Sequence, residues 1–409
     1  MKRETFFKHT YIVGGSGSGK SELIRTIQNL LGSNTVVIDP HGDLAREIGK
    51  TAHNIEPRAR RFVINPFDIP DKSPQSREIG AQEISDLLCE MIRDVGLSSL
   101  METIAFPVIY TLLSLPYSDF RMFAECMNPN KGKARLKALR PYVDPIHAEI
   151  WDELEGDTYD TSKQSLFNRL QGFLNKRAIL ETVCGKDDFS AYFDPKSGVT
   201  CGNIVLNLSG LGSDVCETLG RLFMTRLQIW AKNRERIPEA QRTPIFLIVD
   251  EFQNFIGEHI AHTLEEYGRK YRLFVTLAHQ HVGQVSPQLR GSIMANMKNK
   301  IAGLSDMATR QKVAQEMGIT PDDLDKLKAG HFYGRFGVDS AFAFYARQIP
   351  HRDGLERVYC VSVNGSEIVN GWDGLDLEQN TYQADPMNES HQDKKATPRK
   401  QGYKPKFDI

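Results

Sequence analysis

The segment Gly14-Gly15-Ser16-Gly17-Ser18-Gly19-Lys20-Ser21 decides how the rest of this 409-residue chain is interpreted. It fits the pattern G-x-x-x-x-G-K-[ST], whose glycines let the backbone wrap closely around a phosphate chain. The β-prone run Thr10-Tyr11-Ile12-Val13 leads into it, and residues 23–31 carry apolar side chains at helical spacing directly after it. Because a strand, a loop and a helix in this order aim backbone N–H groups at one point, the segment predicts a triphosphate-binding loop.

The residues of this loop have distinct expected roles. Lys20 should reach the β- and γ-phosphates of the ligand, and the hydroxyl of Ser21 is placed to bind Mg²⁺. The residues that we expect to line the nucleotide are Gly14, Gly15, Ser16, Gly17, Ser18, Gly19, Lys20, Ser21 and Glu22.

A pair of carboxylates far downstream gives the second chemical signal. The apolar run of residues 245–249 ends in Asp250 and Glu251. Such a run is typical of a strand buried on both faces, whose carboxyl end lies at the ligand-binding edge of an open α/β sheet. We expect Asp250 to hold Mg²⁺ and Glu251 to polarise the attacking water. Asp39, which ends another β-branched run, is a competing metal-side acid.

Two further segments carry candidate polar groups. Gln280 follows the strand-like residues 273–277, where its amide can sense the γ-phosphate or orient water; a simple strand-end cap is an equal alternative. Residues 264–272 are predicted to be helical and end in a basic cluster. Phosphoryl transfer gains from an arginine that a neighbouring subunit supplies, although a charge run is more often a solvated face.

The order of patterns along the chain predicts an α/β fold with a mainly parallel central sheet, because parallel neighbours need long connections. Residues 75–190 show helical periodicity with little strand signal and are interpreted as an all-helical insertion. The predicted organisation is a core in two parts (1–74 and 191–350), that insertion (75–190), a C-terminal extension (351–375) and a polar, mobile tail (376–409).

Composition excludes several classes of protein. The chain has 51 basic and 52 acidic residues and a formal net charge of −1, so nucleic acid cannot be bound through bulk charge. The 6 cysteines form no C-x-x-C pair, which argues against a zinc or redox centre. No apolar run approaches the ~18 residues of a membrane span. We therefore expect a cytoplasmic protein without an intrinsic membrane span.

Five motifs together resemble the HerA/FtsK superfamily of P-loop pumps, and within it the conjugative coupling-protein branch of the TraG/TraD type. The motifs are Gly14 to Ser21, the segment 37–44 (VIDPHGDL), the segment 249–255 (VDEFQNF), Gly268-Arg269-Lys270 and Ala278-His279-Gln280. The resemblance spans about residues 8–310 and is weakest across the helical insertion.

The resemblance implies a RecA-like core that assembles into a ring, usually a hexamer, with ATP sites between subunits and DNA or another polymer in the centre. By position, Lys20 and Ser21 correspond to the residues that bind ATP and Mg²⁺, and Asp250 and Glu251 to the acidic pair. Gln280 corresponds to the sensor. Arg269 matches the arginine that acts across the interface, and Arg272 is the second choice.

The sequence leaves two functions open. The favoured one is an ATP-driven DNA translocase for conjugative transfer, packaging or end processing; the alternative is a type IV secretion-type ATPase that energises protein transfer or assembly. The phosphate loop begins within 14 residues of the first residue given. We therefore expect a partner, such as a membrane-channel or nuclease protein, to supply any membrane recruitment.

Overall fold

A computed structural model gives the fold of most of the chain. It describes the backbone of residues 2–69, 71–92, 98–194, 198–256, 267–268 and 270–346, and all of their side chains except those of 90–92 and 98–102.

The described core is a nine-stranded sheet in the order β3-β4-β2-β5-β6-β1-β7-β8-β9. Neighbouring strands from β3 to β7 run parallel, whereas β8 and β9 are antiparallel. The predicted α/β fold with a mainly parallel sheet is confirmed. The strands are β1 (Thr10–Val13), β2 (Thr35–Asp39), β3 (His53–Ile55), β4 (Ile204–Asn207), β5 (Ile245–Val249), β6 (Leu273–His279), β7 (Asn299–Ala302), β8 (His331–Phe336) and β9 (Phe342–Tyr345).

Helices connect the strands and fill the long segment between β3 and β4. They are α1 (Lys20–Leu31), α2 (Asp43–Ile48), α3 (Pro74–Ile92), α4 (Ser98–Leu112), α5 (Phe120–Met127), α6 (Gly132–Leu139), α7 (Ala148–Glu155), α8 (Asp160–Leu174), α9 (Arg177–Val183), α10 (Ser213–Asn233), α11 (Pro287–Asn296), α12 (Met307–Met317) and α13 (Pro321–Asp325). Within the described part of the chain, no helix combines the length and apolarity that crossing a bilayer requires.

Helix α1 shows how local sequence sets the geometry of the phosphate loop. Gly19 (φ 92°) precedes its first residue, and Gly32 (φ 81°) follows its last, so glycine takes a positive φ at both ends. Leu23 and Ile27 are fully buried against the sheet. Burying each such side chain stabilises the fold by about 1.5–3 kcal/mol. The packed face fixes where the helix N-terminus points.

The segment between β3 and β4 differs from the sequence pattern in two places. Helix α5 was not predicted; its Asp119 side chain caps it by accepting hydrogen bonds from the N–H groups of Arg121 and Met122. Residues 165–183, whose apolar spacing predicts one helix, belong to two helices, α8 and α9, because the backbone of Lys176 is extended and breaks the hydrogen-bonded ladder.

Candidate active site

The loop between β1 and α1 lies at the carboxyl edge of the sheet. Gly17 (φ 75°) and Gly19 (φ 92°) take backbone conformations that other residues adopt only with strain. A Cβ at Gly14 would lie 2.6 Å from the Ser18 hydroxyl, so glycine is also required there for space. Among the described residues, the N–H groups at positions 16, 17, 19, 20 and 21 donate no hydrogen bond. This loop offers a set of free donors suited to a phosphate chain.

Neighbouring strands hold the loop in this shape. The N–H of Gly15 donates to the carbonyl of Leu304 (2.7 Å), and the carbonyl of Ser18 accepts from the N–H of Gly330 (2.8 Å). The N–H of Gly14 donates to the carbonyl of His279 at the end of β6 (3.2 Å). Contacts with β6, with the residues after β7 and with those before β8 therefore pre-organise the loop. Little conformational entropy should be lost when a phosphate binds.

Lys20 joins the loop to the acidic pair that follows β5. Its Nζ atom lies 2.9 Å from Oδ1 of Asp250 and 2.6 Å from Oε1 of Glu251. All three residues are buried. Groups separated by about 230 positions thus form one buried ionic cluster, because only β6 lies between β1 and β5 in the sheet.

Glu251 is held by three donors in a strained backbone conformation. Gln280 Nε2 donates to Oε1 (3.1 Å) and Gln253 Nε2 donates to Oε2 (3.0 Å), in addition to the contact with Lys20. Burial opposes ionisation of this carboxyl, but the three donors outweigh it and hold its pKa below the ordinary value. Its φ of 47° is unusual for a residue other than glycine, and such strain is found at functional sites. Glu251 is therefore an ionised, oriented carboxylate.

Asp250 has the opposite electrostatics. Burial raises the pKa of its carboxyl; Lys20 opposes the shift, and the nearby charges of Glu251 and Asp39 add to it. Two acids that share one ammonium are under-compensated. A further positive charge at this position would be stabilised.

Asp39 does not compete for that role through a free carboxylate. Its Oδ1 accepts from the N–H groups of His41 (3.0 Å) and Gly42 (2.9 Å), and its Oδ2 accepts from Ala45 (2.7 Å). Both oxygens are committed to the turn that starts α2, whereas Asp250 and Glu251 contact Lys20. The structure therefore gives Asp39 a turn-forming role, and its part at the metal stays a prediction.

Sequence reasoning missed Gln253 and a buried pair behind the acids. The Tyr11 hydroxyl and Nε2 of His279 are 2.5 Å apart, and the ring of Phe252 packs on His279. Burial, with a smaller contribution from Lys20, lowers the pKa of His279 to about 3, so the imidazole is neutral. Phe252 directly follows Glu251, and its packing on His279 supports the strained turn at Glu251. The sequence signal for this buried pair was that His279 directly precedes the candidate residue Gln280.

The other predicted site residues lie in different places. Ser21 is exposed at the start of α1, and Glu22, which was predicted to line the nucleotide, forms an ion pair with Arg25 (2.6 Å). Arg269 lies outside the described residues. Arg272 precedes β6 at the amino edge of the sheet, opposite the phosphate loop of the same chain.

The donor set fits a magnesium-bound triphosphate. Within the described residues, no group of three or more His, Cys, Asp or Glu side chains could hold a metal ion alone. Mg²⁺ is commonly bound by one or two side-chain oxygens together with substrate phosphates. The hydroxyl of Ser21 and the carboxylate of Asp250 supply such oxygens, and Lys20 already shows that a cation is stable between the two acids.

Comparison with known families gives a match at the start of the chain. Residues 2–95 match the family model of the central domain of the helicase HerA. A search of curated proteins finds no match.

Solved structures match over most of the chain. The unbound bacterial conjugative coupling protein TrwBdeltaN70 has a TM-score of 0.61 at 14% identity, covering 86% of this chain and 88% of that chain. The plasmid coupling protein TrwB in complex with ADP and Mg²⁺ gives 0.59 at 14% identity, covering 86% and 87%. VirB4 of Thermoanaerobacter pseudethanolicus gives 0.56 at 15%, covering 84% and 90%. At these identities the likeness concerns the fold, which is that of RecA-like P-loop ATPases.

Proposed function

We propose that this chain is a P-loop ATPase of the HerA/FtsK type that hydrolyses ATP to move DNA. Residues 2–95 match the model of the HerA central domain, and the fold resembles that of conjugative coupling proteins. The observation that carries this proposal is the contact of Lys20 with both Asp250 and Glu251. It brings a phosphate-binding lysine and a candidate catalytic carboxylate into one buried cluster. A glycine-rich turn that binds no phosphate would not need a lysine in contact with two carboxylates.

ATP binding begins with an exchange of partners by Lys20. Its ammonium turns from the carboxylates to the β- and γ-phosphates, while the loop N–H groups donate hydrogen bonds to the phosphate oxygens. Mg²⁺, held by Ser21 and Asp250, would then neutralise phosphate charge and compensate the acids. Ionised Glu251, oriented by Gln253 and Gln280, accepts a proton from the attacking water. Gln280 links this carboxylate to the γ-phosphate position and thereby reports its presence.

Assembly and location belong to the same proposal. The site is completed in a homo-oligomeric ring, a hexamer by analogy with the superfamily, in which Arg269 of a neighbouring subunit neutralises the transition state. The helical segment 75–190 is an insertion between the two parts of the ATPase core in this proposal. The predicted C-terminal extension (351–375) and tail (376–409) lie outside the described residues. We place the protein in the cytoplasm, recruited by a channel or nuclease partner.

DNA-dependent hydrolysis tests the proposed function. We expect the purified chain to hydrolyse ATP with Mg²⁺, and single- or double-stranded DNA to raise the rate in a manner that salt suppresses, because phosphate contacts release counterions. Steady-state phosphate release with and without DNA, between 50 and 300 mM KCl, measures this. Hydrolysis that no DNA alters at any salt concentration would contradict DNA translocation.

The structural likeness to VirB4 leaves one alternative function to be tested, the energising of protein transfer or assembly. An ATPase that energises protein transfer would use the same residues for hydrolysis, so active-site variants do not discriminate between the two. Stimulation by a secretion-channel subunit in the absence of DNA, together with indifference to DNA, would favour that alternative.

A further inference from the structure

A cavity of about 380 Å³ opens at the amino edge of the sheet, away from the phosphate loop. It lies where β1, β6 and β7 begin, three strands that are adjacent in the sheet. Its volume is in the range of small-ligand sites. Its lining residues are Phe7, Lys8, His9, Glu239, Gly268, Arg272, Phe274, Asn296 and Lys298.

Arg272 is held in this cavity at a conformational cost. Two residues precede the strands that flank β5 in left-handed conformations, Asn34 (φ 63°) before β2 and Arg272 (φ 52°) before β6. The carbonyl of Asn34 accepts a hydrogen bond from the N–H of Phe246, and that of Arg272 accepts one from the N–H of Ile245. The two residues thus have the same structural role. Asparagine takes this conformation readily, whereas a long side chain does so with strain. The backbone therefore gives no reason for an arginine at position 272.

The positive charge in the cavity is poorly compensated. Lys8, Arg272 and Lys298 face one carboxylate, that of Glu239, and no ion pair joins any of them among the described residues. The buried Nε of Arg272 also has no hydrogen-bond partner there. Unpaired cations that crowd one another favour an anion.

Aromatic rings line the same cavity. Phe7 stacks on Phe274 with ring centroids 5.3 Å apart and planes 11° apart, and the guanidinium of Arg272 lies 5.8 Å from the Phe7 centroid. Aromatic and guanidinium planes stack on nucleobases, and cations beside them receive phosphates.

From this arrangement we propose that the amino-edge cavity binds one nucleotide unit, with its phosphate on Arg272, Lys8 and Lys298 and its base against Phe7. The unit can belong to a single DNA strand or to a free nucleotide. In the first case the inference deepens the proposed function by adding a strand contact on the sheet edge opposite the ATP site; the cavity itself requires no ATP turnover.

The test is binding of a fluorescein-labelled dT12 oligonucleotide by anisotropy, without ATP. Arg272→Asn should weaken binding about tenfold, the effect of a lost charge-assisted hydrogen bond. It should leave the urea midpoint unchanged or higher, because asparagine suits the left-handed conformation. Measuring thymidine monophosphate binding in the Lys20→Ala background, with and without Arg272→Asn, separates the free-nucleotide source.

A second variant does not depend on position 272. Lys8 and Lys298 are exposed, so Lys8→Gln with Lys298→Gln should fold normally. It should lower the slope of log affinity against log salt by at most about 0.7, the value for one single-strand phosphate contact. Lys50→Gln with Lys312→Gln removes the same charge from exposed sites elsewhere and should have little effect.

The outcomes are separable. Loss confined to dT12 assigns the cavity to a strand, and loss confined to the mononucleotide assigns it to a free nucleotide. If neither variant weakens either ligand beyond the control pair, the inference is wrong. Because no ATP is present, this failure is distinct from the failure of DNA to stimulate hydrolysis.

Discussion

The two edges of the central sheet treat positive charge in opposite ways. At the carboxyl edge, Lys20 lies between the carboxylates of Asp250 and Glu251. At the amino edge, Arg272 and Lys298 have no ion pair among the described residues. A phosphate that enters the first site must replace internal acids as the partner of the lysine. A phosphate that enters the second site displaces no carboxylate from Arg272 or Lys298. Phosphate binding should therefore depend on Mg²⁺ at the carboxyl edge and not at the amino edge.

The largest expected effect is the loss of hydrolysis in Glu251→Gln. Removing a general base costs about 10²- to 10⁴-fold in rate. We expect kcat to fall by that amount while nucleotide binding is retained, since the amide leaves Lys20 less restrained. Phosphate release and fluorescent-nucleotide binding measure the two quantities, and Glu149→Gln, an exposed change in α7, is the matched control. Binding of dT12 should be unchanged; a parallel loss there would show that the two edges are not independent.

Removing Mg²⁺ should separate the edges next. With excess EDTA at constant ionic strength, ATP affinity at the phosphate loop should fall by roughly tenfold to a hundredfold, because like charges brought together cost several kcal/mol. Binding of dT12 should not change. Titrations of both ligands with and without the metal make this measurement. If both affinities fell equally, the contrast in charge compensation would be wrong.

A smaller effect concerns the buried imidazole at the carboxyl edge. The pKa of His279 is about 3 in the folded protein against an ordinary 6.5, so the unfolded chain binds more protons at pH values between the two. Stability should therefore fall as the pH drops below 6.5, by about 1.4 kcal/mol per pH unit from this residue. Urea midpoints from pH 7 to 5 should show a shallower decline in His279→Gln than in wild type. Exposed His41→Gln should leave the decline unchanged; an equal effect of both substitutions would refute the assignment.

Local chemistry explains why so much of the core could be predicted from sequence. The glycine-rich loop and the apolar run of β5 each carry their structural reason within a few adjacent residues. Strand β3 has three residues, too few for a periodic signal. Helix α5 begins at a side-chain cap, a signal present in the sequence at Asp119 and overlooked.

The site was harder to predict, because its contacts are made by the sheet. Tyr11 meets His279 because β1 pairs with β6, which brings together residues 268 positions apart. The side chain of Gln253 reaches Glu251 because the backbone of Glu251 has a positive φ, and no sequence pattern predicts that conformation. The cavity beside Arg272 likewise depends on which strands are neighbours. Arg269 lies outside the described residues, so its role across an interface stays a prediction.

The measurement that bears most directly on the central claim is an experimental structure of the full chain with Mg²⁺ and a non-hydrolysable ATP analogue. The account predicts the triphosphate in the loop from Gly14 to Ser21, with Lys20 Nζ moved from Asp250 to the γ-phosphate and Glu251 facing the side from which water attacks. A nucleotide bound elsewhere, with Lys20 still on both carboxylates, would contradict it.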